Sequence, residues 1–153
     1  MPQLQLANED ARIVALAIAY HLGRPGSEID AETLQPHGLG LGPVGGALDP
    51  QLELARVEVE VTPYQLHRLD EALLGITNEL KQYEMSQRRS AVPRFAEAVG
   101  LLFPELGADR DPPASAFDLV ERVVLLRRRL AEAVRAAETS LQQAHEGSAE
   151  QPG

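Results

Sequence analysis

The chain contains no cysteine, a single lysine (Lys81) and no apolar run long enough to cross a bilayer. The missing cysteines exclude disulfides, thiolate metal sites and a cysteine nucleophile together, and they suit a reducing compartment. Near the N-terminus the longest apolar run, Ile13 to Tyr20, falls far short of the roughly 20 residues that span a membrane. No basic segment precedes it, and Asn8-Glu9-Asp10 stands where a secretory signal would be cationic. These absences predict a soluble, cytoplasmic protein with no membrane partner. Arginine supplies every basic side chain except Lys81, and with abundant Ala, Leu, Gly and Pro this suggests a GC-rich bacterial genome.

Catalytic signatures are missing too. There is no Gly-x-Ser-x-Gly, no His-Glu-x-x-His and no pair of ExxE motifs on facing helices of the kind that hold magnesium. His67 and Glu71 are four apart, a spacing that puts both on one helix face, but His21, His37 and His145 lie on unrelated segments and no carboxylate cluster joins them. No catalytic, cofactor-binding or metal-binding residue is therefore assigned, and no cofactor is expected. The formal fingerprint Gly40-Leu41-Gly42-Pro43-Val44-Gly45 needs a strand before it and a helix after it to bind pyrophosphate. Pro36, Pro43 and Pro50 argue against both, so Pro36 to Pro50 reads as a glycine-rich loop.

What is present is a strongly patterned chain of 153 residues, a length that suits one domain. The reading is a single helical domain over 1–146 with a disordered tail over 147–153. Net charge is −9, and residues 1–61 hold three Arg against nine acids, so the first half would repel a phosphate backbone. Between Ser86 and Arg135 nine Arg stand against seven acids, the place to look for an anionic partner. There Arg122 and Arg127-Arg128-Arg129 have Asp118, Glu121 and Glu132 within helical reach, which predicts solvated ion pairs.

Gln3 to Leu6 alternates polar and apolar residues and reads as a short strand. Asn8 then offers an N-cap to a helix ending near Leu22, apolar on most of its circumference and so buried between neighbours or in a subunit interface. Ser27 with Asp30 could cap a further helical piece through Leu34. A second strand is expected over Val57–Val61, with a start or bulge near Arg56 to reconcile its apolar phase with that of Leu52 and Leu54. With Leu4 and Leu6 it would form a two-stranded ribbon, which must pack on helices or pair across a dimer.

At Thr62-Pro63-Tyr64-Gln65 the hydrophobic period changes from two to about 3.6. Threonine N-cap, proline at N1 and glutamine at N3 form a capping box. Leu66, Leu69, Leu73, Ile76, Leu80 and Tyr83 continue one seam straight through Gly75. A third helix is expected from Ser90 to Pro104, with Val92, Phe95, Val99 and Leu102 inward. Glu105 to Ala114 reads as a connector. A last helix runs from about Ser115 to His145 on a seam of Leu119, Val123, Leu126, Leu130, Ala133, Ala137, Leu141 and Ala144. Phe117, Val120, Val124 and Val134 widen it.

RVEVEVTPYQLHRLDEALL followed by RRSAVPRFAEAV resembles the ribbon-helix-helix family of bacterial DNA-binding dimers, with Leu69-Asp70 and Arg89-Ser90 at the family's positions over about 50 residues. The resemblance implies a transcriptional regulator whose strand enters the major groove. Departures are the acidic strand residues Glu58 and Glu60, the helix continuing beyond Gly75, and Pro93. Acids cannot supply the phosphate attraction that dominates DNA affinity, so nucleic acid is disfavoured as a partner.

The expected fold is mainly α: a bundle of four main helices with a two-stranded β ribbon, built from strand-helix units at 3–22 and 56–84. The expected role is a non-enzymatic bacterial interaction or scaffold protein, a homodimer through apolar helices, with a further protein partner open. A ribbon-helix-helix-like DNA-binding regulator and a metal-dependent phosphate-ester hydrolase are the alternatives.

Overall fold

The computed structural model describes residues 3–23, 41–86, 90, 92, 95–106 and 115–150. Two strand-helix units come first: β1 (Gln3–Ala7) runs into α1 (Asn8–Gly23), and β2 (Arg56–Glu60) runs into α3 (Pro63–Met85). Between them lie α2 (Gly42–Leu48) and a 3₁₀ turn (Asp49–Gln51). After them come α4 (Phe95–Leu102), a 3₁₀ turn (Pro104–Leu106) and α5 (Ala116–Glu150). The architecture is mainly α with a small ribbon, as the hydrophobic periods predict.

β1 and β2 pair antiparallel, Gln3 opposite Glu60, Gln5 opposite Glu58 and Ala7 opposite Arg56. Both strands alternate exposed and buried residues, so Leu4, Leu6, Val57 and Val59 form one inner face on the helices. β2 begins at Arg56, which resolves the apparent phase shift at Ala55-Arg56; Leu52 and Leu54 belong to the preceding turn. The ribbon is thus completed within one chain.

α3 starts as its sequence dictates. Thr62 Oγ1 accepts from the Gln65 N–H at 3.0 Å, and Gln65 Oε1 accepts from the Thr62 N–H at 2.9 Å, with Pro63 in the first turn. Its six seam residues, Leu66 through Tyr83, are all buried. α3 packs most extensively on α5 and next on α1. Fully burying each leucine is worth about 1.5–3 kcal/mol, so this three-helix contact dominates the core.

The helix of broad apolar circumference is covered by its own chain. Ala11, Ile13, Val14, Leu16, Ala17 and Ile18 of α1 are buried against α2, α3, α4 and the ribbon. Asn8 does not serve this start as expected: its side-chain Nδ2 donates to the carbonyls of Leu52 and Leu54, both at 2.7 Å, and its N–H bonds Ala55 O. The side chain therefore fastens the turn that delivers β2.

The expected loop over 36–50 is corrected from Leu41 onward. Leu41, Val44 and Leu48 recur at three and four residues and are all buried, so apolar spacing overrides the low helix propensity of three glycines. Pro43 fits because the first turn loses no intrahelical hydrogen bond there. A Cβ at Gly45 would lie 3.2 Å from Ile18 Cγ2, so this glycine lets α2 lie close on α1. Residues 36–40 and the proposed helical piece over 27–34 lie outside the described residues.

Toward the C-terminus two boundaries move. α4 begins at Phe95 rather than at Ser90, although Ser90 Oγ does accept from Val92 N–H at 3.0 Å while its hydroxyl donates to Glu79. The connector expected after Pro104 opens with a 3₁₀ turn because Phe103 and Leu106 are buried. α5 continues to Glu150, four residues into the expected tail. Of its widened seam, Leu119, Val123, Leu126, Leu130 and Val134 are buried, whereas Phe117 and Val124 are exposed. Among the described residues no helix is long and apolar enough to cross a membrane.

Candidate functional site

The polar groups singled out by sequence are drawn into structural pairs. Arg127 grips Asp70 of α3 through Nε and Nη2 at 2.9 and 3.3 Å. Arg122 pairs with Glu9 and Arg129 with Asp10, tying α5 to the first turn of α1. The partners expected within α5 itself are thus replaced by acids of α1 and α3, brought near by the packing. Such exposed pairs contribute about 0–1 kcal/mol each.

His67 and Glu71 share a flank of α3 but serve different partners. His67 Nε2 lies 3.4 Å from Glu138 Oε1 of α5, and Glu71 accepts from Arg68 at 3.0 Å. His37 lies outside the described residues. Among the described residues no group of three His, Asp or Glu side chains converges as metal ligands. Of the dinucleotide fingerprint, Leu41 and Val44 are core residues and Gly45 meets Ile18, uses that compete with holding a phosphate.

Of the positions that resemble the ribbon-helix-helix family, Leu69 is buried in the α3 seam, Asp70 is held by Arg127, and Glu58 and Glu60 face outward. Arg88, Arg89 and Pro93 lie outside the described residues. β2 finds its strand partner in β1 of the same chain.

The ribbon itself has the most informative geometry. Its outer face carries Gln3, Gln5 and Ala7 beside Glu60, Glu58 and Arg56, with Gln5 Nε2 donating to Glu58 Oε1 at 3.1 Å. A two-stranded sheet has two free edges, and here they differ. Along β2, the Gln51 carboxamide accepts from Glu58 N–H at 3.2 Å and donates to Glu58 C=O at 3.0 Å, while Nε2 also donates to Ala47 O at 2.9 Å. One side chain therefore imitates a neighbouring strand and closes that edge. No local pattern in the sequence marks Gln51 for this.

Along β1 an open groove of ≈ 240 Å³ separates the strand from α5, bounded by Gln3 and Gln5 on one side and by Leu126, Arg129, Leu130 and Ala133 on the other. Leu125, next in the α5 sequence to the groove-lining Leu126, is 59% exposed and shares a second hollow with Arg122, Arg128 and Asp10. This flank, with Leu125 exposed among paired charges, is the candidate site. It offers surface for a macromolecule and no convergent acid, base or nucleophile.

A second feature the sequence does not reveal is Arg12 of α1. Its Nη1 donates to Leu102 O at 2.9 Å, lies 3.7 Å from Glu105, and its guanidinium sits 5.1 Å from the Phe103 ring centroid. This arginine caps the end of α4 and is structural.

No protein-family model, curated protein or solved structure matches this chain.

Proposed function

We propose that this chain is a non-enzymatic interaction or scaffold protein of a bacterial cytoplasm, working as a homodimer. The observation that carries the reading is the open groove between β1 and α5. Its floor is closed by the buried Leu126 and Leu130, the apolar surface open to a partner is that of the neighbouring Leu125, 59% exposed, and the charged groups beside it, Arg122 and Arg129, are already paired with Glu9 and Asp10. Such a flank suits association through burial, because covering apolar surface is worth about 25 cal/mol per Å².

α1, whose sequence also suggested a subunit surface, is spent inside the chain. The self-contact belongs instead to the α5 and β1 flank. Sedimentation equilibrium over micromolar to high-micromolar concentrations tests the reading. The expected species is twice the 16.6 kDa chain mass, and a monomer throughout that range removes the proposal.

A further inference from the structure

We infer that two copies join through their β1 edges, antiparallel and centred on Gln5, giving a four-stranded sheet in the order β2, β1, partner β1, partner β2. This inference rests on the homodimer reading and specifies its joint.

The backbone phase fixes which groups are available. Glu58 turns both its N–H and its C=O toward Gln51, off the ribbon, so the pair Gln5 and Glu58 exchanges no backbone hydrogen bonds. In an antiparallel ladder such pairs alternate with bonded ones, and the Asn8 N–H to Ala55 O bond confirms that even-numbered β1 residues bond β2. Gln3, Gln5 and Ala7 therefore aim their backbone donors and acceptors out of the β1 edge. Among the described residues nothing takes them up.

The chemistry of that edge also favours pairing. Natural proteins protect free edges with lysine, proline, inward charge or a covering element. β2 is covered by Gln51, whereas β1 reads Gln-Leu-Gln-Leu-Ala, without charge or proline. The occupant is a second copy because the edge is complementary to itself. With the dyad at Gln5, residue 5 meets residue 5 and residue 3 meets residue 7, so every outward N–H faces an outward C=O.

Charge does not oppose the joint despite the net −9. Glu58 and its equivalent in the partner stand three strand spacings apart, about 14 Å, beyond the Debye length of about 8 Å at physiological salt. The nearer Gln5 side chains are neutral. Strand joining alone buries little area, so Leu125 and the α5 wall of the groove supply the remaining contact.

The test uses the full chain in sedimentation equilibrium, with far-UV circular dichroism to check folding. Gln5→Pro removes an N–H that no intrachain ladder bond uses, the edge position at which strands tolerate proline. Gln5→Lys places like charges together at the dyad while keeping a partner for Glu58. Each is expected to weaken dimerisation at least about tenfold, roughly 1.4 kcal/mol, with the monomer fold retained. Should the proline variant unfold, the lysine variant decides. Because the chain has no other cysteine, Gln5→Cys gives a direct readout. Paired Cα atoms there would be about 5.5 Å apart, within the disulfide range of about 4.4–6.8 Å. Mild oxidation should yield a covalent dimer for Gln5→Cys and none for Glu58→Cys. A wild-type dimer unaffected by the variants, with no cross-link at position 5, overturns the strand joint and leaves self-association standing. A wild-type chain that stays monomeric overturns both.

Discussion

The ring of Tyr20 on α1 lies so close over Gly75 of α3 that a Cβ at position 75 would come within 2.4 Å of Tyr20 Cε1. Phe95 of α4 holds that ring from the side, with centroids 6.1 Å apart at 80°, and Tyr83 meets the same Phe95 at 6.2 Å. Gly75 is thus the contact point of the two helices, and the glycine in the middle of an apolar seam has a steric reason. Gly75→Ala gains about 1 kcal/mol of helix propensity but forces the ring aside at a cost of about 1–3 kcal/mol, so it is expected to destabilise by up to about 2 kcal/mol net. A double-mutant cycle with Tyr20→Leu, read by urea unfolding, should show favourable coupling. Additive effects would place the clash elsewhere.

Leu73, one turn before Ile76 on the same seam, is fully buried. Truncation there leaves a cavity in the core, and Leu73→Ala is expected to cost about 2–5 kcal/mol. Chemical denaturation checks it, and a loss below about 1 kcal/mol, that of a weakly packed site, would show that the seam is not the core.

The legible part of this molecule is the part encoded locally. The alternation of Val57, Val59 and Val61, the capping box at Thr62 and Gln65, and the spacing of the α3 seam each involve residues a few positions apart, and each appears as read. α2 was hidden because glycine and proline dominate Leu41 to Pro50, masking three core residues whose burial depends on α1 lying beneath. Phe117 and Val124 are apolar at seam-like spacing yet exposed, since α3 covers only one side of α5. The polar contacts that join distant segments were least legible. Gln51 and Glu58 are seven residues apart across a turn, and Arg12 reaches an end of α4 that is 90 residues away. Nothing in their neighbours announces either role. The candidate flank is likewise a consequence of how β1 is placed against α5.

Gln51 gives a prediction that separates the two ribbon edges. Gln51→Ala removes the side chain that satisfies both backbone groups of Glu58, and the expected loss is about 1 kcal/mol, small because water can replace the amide. Hydrogen exchange at the Glu58 amide should accelerate in the variant while the Val57 and Val59 amides, which bond β1, change little. Gln51→Glu keeps an acceptor for the Glu58 N–H but loses the donor to its carbonyl, and should protect that amide partially. Equal exchange in all three proteins would mean that Gln51 does not close the edge in solution.

Duplex DNA is expected not to bind. Salt-dependent affinity requires cations facing phosphates, whereas the outward ribbon face carries Glu58 and Glu60 with Arg56. On α5, Arg122, Arg127 and Arg129 are engaged by Glu9, Asp70 and Asp10. Fluorescence anisotropy with a mixed-sequence duplex at about 50 mM salt, where phosphate contacts are strongest, should show no binding. If binding did appear, weakened by salt and by Arg88→Ala with Arg89→Ala, the regulator reading would displace the scaffold reading. Glu58→Lys with Glu60→Lys then gives a second check, because replacing both acids should create weak, salt-sensitive affinity only if the ribbon face can reach the duplex.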